Sequence, residues 1–140
     1  MASRFDTFEL TIHATPPRPR WLGLARPVRA RVWAEVVING TPASPDFAST
    51  EVLLALGKGG LFFPFTCACG DAGCAGSLRG VQIVHAAGET LWNDADAGRT
   101  FVFATDAFER EIAKLAAAVR EARARWPDVA TEVSEPWLAD

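Results

Sequence analysis

The chain has 140 residues, 49% of them hydrophobic and 22% charged, and a formal net charge of −3. That length carries about one domain, and the composition is that of a globular core, which excludes a disordered chain. With this acidic balance a generally basic nucleic-acid binder is not the default reading, and no apolar run reaches the roughly 20 residues of a membrane-spanning helix.

Residues 1–6 carry an early acid and no apolar run, so a secretory signal is not expected. The three cysteines, Cys67, Cys69 and Cys74, cannot all pair and lie close together, unlike the spread, even-numbered cysteines of a secreted disulfide scaffold. A reducing, cytoplasmic setting is expected.

Phe8, Leu10 and Ile12 alternate with Glu9, Thr11 and His13, the period of a half-buried strand. Pro16, Pro17, Pro19 and Pro27 make residues 14–27 a loop. Residues 28–38 carry the clearest strand pattern, with Val28, Ala30, Val32, Ala34, Val36 and Ile38 on one face and Arg29, Arg31, Trp33, Glu35 and Val37 on the other. Asn39-Gly40 and Thr41-Pro42 read as a turn, because glycine accepts positive φ and proline cannot continue a ladder. Residues 50–56 predict a short helix capped by Ser49 or Thr50 and stopped by the glycines of 57–60. Residues 61–66 predict a strand that Pro64 confines to an edge or a bulge. Residues 81–85 and 90–92 flank 87–89 as a hairpin, and residues 99–103 follow the acidic turn 94–98 as a further strand.

A long helix closes the pattern. Asp106 and Glu109 form a capping-box-like pair, and Phe108, Ile112, Leu115, Val119, Ala122 and Trp126 draw one apolar stripe that ends at Pro127. Glu109 and Glu111 read as part of its solvated face, and residues 128–140 as a mixed polar tail with Trp137 packing back. The order predicts a single α+β domain over residues 1–140. It is mainly antiparallel sheet with a short central helix and the long C-terminal helix packed on one face.

The chemically distinctive stretch is the knuckle at 66–76, where three thiols fall within eight residues and Gly70, Gly73 and Gly76 supply permissive backbone. Zn²⁺ takes four tetrahedral sulfur or nitrogen donors. Cys67, Cys69 and Cys74 provide three, and His85 on the following hairpin is the natural fourth. His13 is the only other histidine, and Asp71 offers a harder oxygen. The bland alternatives are reduced cysteines packed in a glycine-rich loop, and a core or rim His85 sharing parity with Val81 and Ile83. A thiol or metal enzyme at the knuckle is a further alternative, although no orienting Asn or Asp is marked out to pair with His85.

Residues 10–34 hold no acid, while Arg18, Arg20, Arg26, Arg29 and Arg31 gather beside Trp21 and Trp33. Arginines among aromatics suit phosphates and stacked single-stranded bases, so Arg18, Arg20, Arg29, Arg31 and Trp33 form an alternative nucleic-acid surface. The plainer reading is a solvated face whose arginine stems cover Trp33. With Val37, that face also reads as a dimer surface. Asp94-Ala95-Asp96 lacks the remaining ligands of a calcium loop and reads as a turn.

The run Phe65-Thr66-Cys67-Ala68-Cys69-Gly70, followed by Cys74-Ala75-Gly76, Gly80-Val81 and Trp92, resembles a family of small uncharacterised bacterial proteins. In that family a TCxCGxxxCAG segment precedes a GV-x-V strand and a tryptophan. The likeness spans about residues 50–115 and leaves out 16–39. It implies a cytosolic single-domain protein and carries over no catalytic residue. Together these features lead to the expectation of a non-enzymatic, cytosolic module that binds another protein and holds a structural zinc at Cys67, Cys69, Cys74 and His85.

Overall fold

The computed structural model describes residues 4–17, 29–44, 47–66, 76 and 78–131. The first strand, β1 (Phe8–Thr15), runs two residues further than its alternation predicts, because Ala14 and Thr15 still pair with Val32 and Arg31. Its partner β2 (Arg31–Ile38) starts later than expected, while Val28 lies outside the described residues. The two-face pattern holds, with Val32, Ala34, Val36 and Ile38 buried. Asn39 and Gly40 both take positive φ (53° and 78°), the tight turn whose twist suits a hairpin. Thr41-Pro42, expected to be turn alone, instead forms a short edge strand, β3 (Thr41–Pro42), beside Val37 and Ile38. Proline is tolerated there because an edge residue need not donate to a neighbour.

The predicted strand over 61–66 is divided at Pro64. β4 (Phe47–Ala48) pairs with β6 (Phe65–Thr66), whereas β5 (Gly60–Phe62) joins a different sheet. Between them, α1 (Thr50–Ala55) is capped by the Ser49 hydroxyl, which accepts from the Val52 amide. α1 ends at Ala55, and a 3₁₀ turn over Leu56–Lys58 carries the chain to Gly59, within the glycine run expected to stop it. The larger sheet has the order β5, then β7 (Val81–Ala86), β8 (Glu89–Asp94) and β9 (Arg99–Ala104), all antiparallel. Ala87 and Gly88 (φ 53° and 78°) make the two-residue turn of its central hairpin.

The helix α2 (Thr105–Arg125) begins without the predicted capping box. Ala104 is its N-cap, and the Asp106 carboxylate reaches only the adjacent Ala107 amide. The apolar stripe is as expected, with Phe108, Ile112, Leu115, Val119 and Ala122 buried and Trp126 partly covered. Burying Phe108, Ile112, Leu115 and Val119 contributes about 1.5–3 kcal/mol each. Residues 129–131 are not polar tail: Ala130 forms a parallel bridge with Arg31, and Thr131 donates to Glu51 at 2.6 Å. Trp137 lies outside the described residues. The helix covers the inward faces of both main sheets, which makes the fold α+β and mainly antiparallel sheet.

Phe8 sits where the layers meet, with its ring 4.5 Å from Phe108, 5.2 Å from Phe103 and 5.8 Å from Trp92. Trp92, Phe103 and Phe108 are fully buried, so one aromatic cluster joins β1, the larger sheet and α2. Among the described residues no helix is long and apolar enough to cross a membrane.

Candidate functional site

Cys67, Cys69 and Cys74 lie outside the described residues, but the stems of their knuckle do not. Thr66 is buried, and its Oγ1 lacks a hydrogen-bond partner. On the returning side, one carboxylate gathers three successive amides: Asp96 accepts from Leu78 (3.0 Å) and Arg79 (2.9 Å) at Oδ1 and from Gly80 (2.8 Å) at Oδ2. The bonds from Arg79 and then Gly80 hold the Asp96 carboxyl below its ordinary range, helped by Leu78 and the Arg79 charge. Asp94 accepts the Ala97 amide within the same turn. The acidic turn 94–98 therefore works as a clamp on the exit of the knuckle, not as a calcium loop.

His85 faces inward with Val81 and Ile83, as its parity predicts. Its Nδ1 lies 2.8 Å from Thr90 Oγ1, which lies 2.8 Å from Thr105 Oγ1, and its Nε2 lies 3.4 Å from the Leu56 carbonyl. A carbonyl only accepts, so Nε2 carries the proton aimed at Leu56; in that tautomer Nδ1 accepts from the Thr90 hydroxyl and Thr105 donates to Thr90. This chain ties the β7–β8 hairpin to the first residue of α2. The exit of the knuckle runs into β7 at Val81, and four residues of strand put His85 about 13 Å along it. A metal at His85 would displace the Leu56 carbonyl from Nε2 and leave Nδ1 to donate to Thr90. Among the described residues, no group of three His, Cys, Asp or Glu side chains converges.

The basic-aromatic segment divides in the same way. Arg18, Arg20, Arg26 and Trp21 lie outside the described residues. Arg31 places its guanidinium 5.2 Å from the Trp33 ring, and His13, directly across the ladder, stacks on that ring at 4.2 Å. Arg29 donates from Nε to the Asp128 carbonyl at 2.8 Å. Both described arginines thus have partners within the chain, Arg31 beside Trp33 as the plainer reading expects.

Comparison with known proteins finds no matching family model, no matching curated protein and no matching solved structure. The geometry alone carries the functional reading.

One surface departs from the usual alternation of an antiparallel sheet. On the face of the larger sheet turned away from the core, Val84, Leu91 and Val102 stand in register across three strands. Val84 is 46% exposed and Leu91 36%, and Leu61 (55%) on β5 sits diagonally beside Val84. Gln82, Asn93 and Thr100 form the neighbouring row, all polar and uncharged. Glu89, in the third row between Ala86 and Ala104, is ion-paired with Arg4. The signal was present in the sequence as adjacent apolar pairs, Ile83-Val84, Leu91-Trp92 and Val102-Phe103. Such pairs mean that both faces of a strand are apolar, which a search for chemical groups passes over.

Proposed function

We propose that this chain is a non-enzymatic, cytosolic protein-interaction module whose contact surface is the outer face of the β5–β7–β8–β9 sheet. The observation that carries the proposal is the outward apolar row Val84–Leu91–Val102, exposed at Val84 and Leu91 and half-buried at Val102. Apolar surface in one contiguous patch on a folded protein marks an interaction site more often than scattered apolar residues do. The neutral row beside it suits a protein surface and offers no positive charge to a phosphate backbone. Affinity capture from the source cell with wild-type bait and with Leu91→Asp tests it. One or more partners lost specifically with the variant support the proposal, and identical partner sets overturn it.

The knuckle belongs to the same proposal as a structural zinc site holding Cys67, Cys69 and Cys74, with His85 as the fourth ligand. The unpartnered hydroxyl of Thr66, one residue before Cys67, supports it, since a hydroxyl donor suits a neighbouring thiolate. Metal analysis of freshly purified protein decides the matter. About one zinc per chain, released by chelator with a fall in melting temperature, is the expected result. Zinc retained in His85→Ala would remove that residue from the ligand set, and metal-free protein with unchanged melting would remove the site.

A further inference from the structure

We infer that residues 4–7 form a guard strap on the free edge of β9, and that releasing the strap turns this edge into a docking site for β9 of a second copy. The groups involved are backbone donors and acceptors at the rim of the larger sheet, distinct from the side chains of its outer face.

β9 ends one side of that sheet, with β8 as its strand partner. Natural edge strands discourage further pairing with charges, prolines or bulges. From Thr100 to Ala104, β9 has none of these: the run Thr-Phe-Val-Phe-Ala is uncharged and pairs residue for residue with β8. An extended run of β-branched and aromatic residues with no proline or glycine is the kind that pairs with copies of itself.

Protection comes from the strap instead. The Asp6 amide donates to the Val102 carbonyl at 2.8 Å, as a residue of a next strand would. The return bond differs, because the Val102 amide donates to the Asp6 carboxylate at 2.8 Å and not to a backbone carbonyl. A ladder continues through backbone groups alone, so a side-chain acceptor ends it there. Asn39 holds the strap from the turn after β2, donating from Nδ2 to Asp6 Oδ1 at 3.0 Å and accepting the Thr7 amide at 2.9 Å. Arg4 pairs with Glu89, which lies opposite Ala104. These contacts lie at the surface, so the strap can open locally while the sheet stays folded.

With the strap away, two copies of β9 can pair antiparallel about a two-fold axis. Residues 100–104 of one copy then run along 104–100 of the other with no like charges opposed. Each copy uses its β9 edge once, so the contact closes at a dimer.

Sedimentation of full-length variants from about 1 μM to about 1 mM tests the strap. Asp6→Ala should move from 15.1 kDa towards twice that mass at a concentration about 10-fold or more below the wild type. Asp6→Asn keeps an acceptor for Val102 and should stay nearer the wild type. Asn39→Gly suits the φ of 53° while removing both side-chain bonds to the strap, so it should shift in the same direction and covers the case in which Asp6→Ala fails to fold. Glu111→Ala weakens the fold through β1 without touching β9 and should not associate. In the dimer the Thr100 and Ala104 amides, which share the edge parity of Val102, should exchange more slowly as concentration rises. Folded Asp6→Ala and Asn39→Gly that associate no more than the wild type overturn the inference. So does a Glu111→Ala that associates as strongly as Asp6→Ala, or a dimer whose Thr100 and Ala104 amides gain no protection.

Discussion

Asp6 takes the place of a further strand beside Val102. Its amide donates to the Val102 carbonyl at 2.8 Å, and its carboxylate Oδ2 accepts the Val102 amide at 2.8 Å. Oδ1 meanwhile accepts from Asn39 Nδ2, so one side chain links the turn after β2 to the edge of β9. Exposed strand edges recruit other strands, and a carboxylate seated on the edge blocks that pairing. Asp6→Ala is expected to lower stability by about 1–3 kcal/mol, the cost of leaving these donors without their charged acceptor. Asp6→Asn, which keeps an acceptor, should lose less. Denaturant unfolding of the two variants checks the order.

The Asp96 clamp predicts a local pH dependence. A carboxyl held below its ordinary 3.8 in the folded state stabilises that state fully above the unfolded pKa, and the effect is lost as pH falls through the lowered value. Protection of the Leu78, Arg79 and Gly80 amides from exchange, relative to the intrinsic rate at each pH, should therefore be high at neutral pH and fall selectively as pH drops below about 4. Asp96→Ala should give the fast exchange, about 10-fold or more, at every pH. Equal protection in the variant and the wild type would refute the clamp.

Glu111 is expected to matter more than its place among helix-surface charges suggests. Its side chain is 12% exposed, Oε1 accepts the Leu10 amide of β1 at 3.0 Å, and Oε2 pairs with Lys114 at 2.7 Å. Removing a charged acceptor from a covered strand amide costs about 1.5–3 kcal/mol, so Glu111→Ala should show a loss of that order in chemical denaturation. Lys114 is half-exposed, and Lys114→Ala should cost less than about 1 kcal/mol. Similar losses in both variants would make the ion pair, not the strand cap, the important contact.

Two glycines with the same backbone should respond differently to alanine. At Gly88 (φ +78°) a Cβ would stand in open space, so Gly88→Ala meets only the left-handed penalty of about 1–2 kcal/mol. At Gly80 (φ +79°) the Cβ would come 2.5 Å from the Phe62 carbonyl oxygen and 3.1 Å from the Phe63 ring. Phe62 is held by its pairing with Val81, so the clash cannot be relieved cheaply, and Gly80→Ala should lose at least about 1–3 kcal/mol more. Thermal melts of the two variants give the comparison.

Local pattern alone sufficed for β2, the central hairpin and the stripe of α2, because each buries a face whose period is written in consecutive side chains. His85 turning inward and the turn at 94–98 were also readable, from parity and from loop chemistry. Other features depended on partners distant in sequence. Glu111 reads as solvated until β1 brings the Leu10 amide to it, 101 residues away. Residues 129–131 read as tail until Ala130 meets the start of β2, and Asp106 reads as a cap although the helix begins at Thr105.

Taken by itself, the order of residues determined the long strands and both α-helices, their inward faces and the cluster of thiols at 66–76, since these follow from short-range periodicity and composition. Only the tertiary structure decided that Val84, Leu91 and Val102 stand in one outward row, and that one carboxylate clamps the exit of the knuckle. Both arise from register and turn placement, through which strands distant along the chain align side chains and amides that no local window contains.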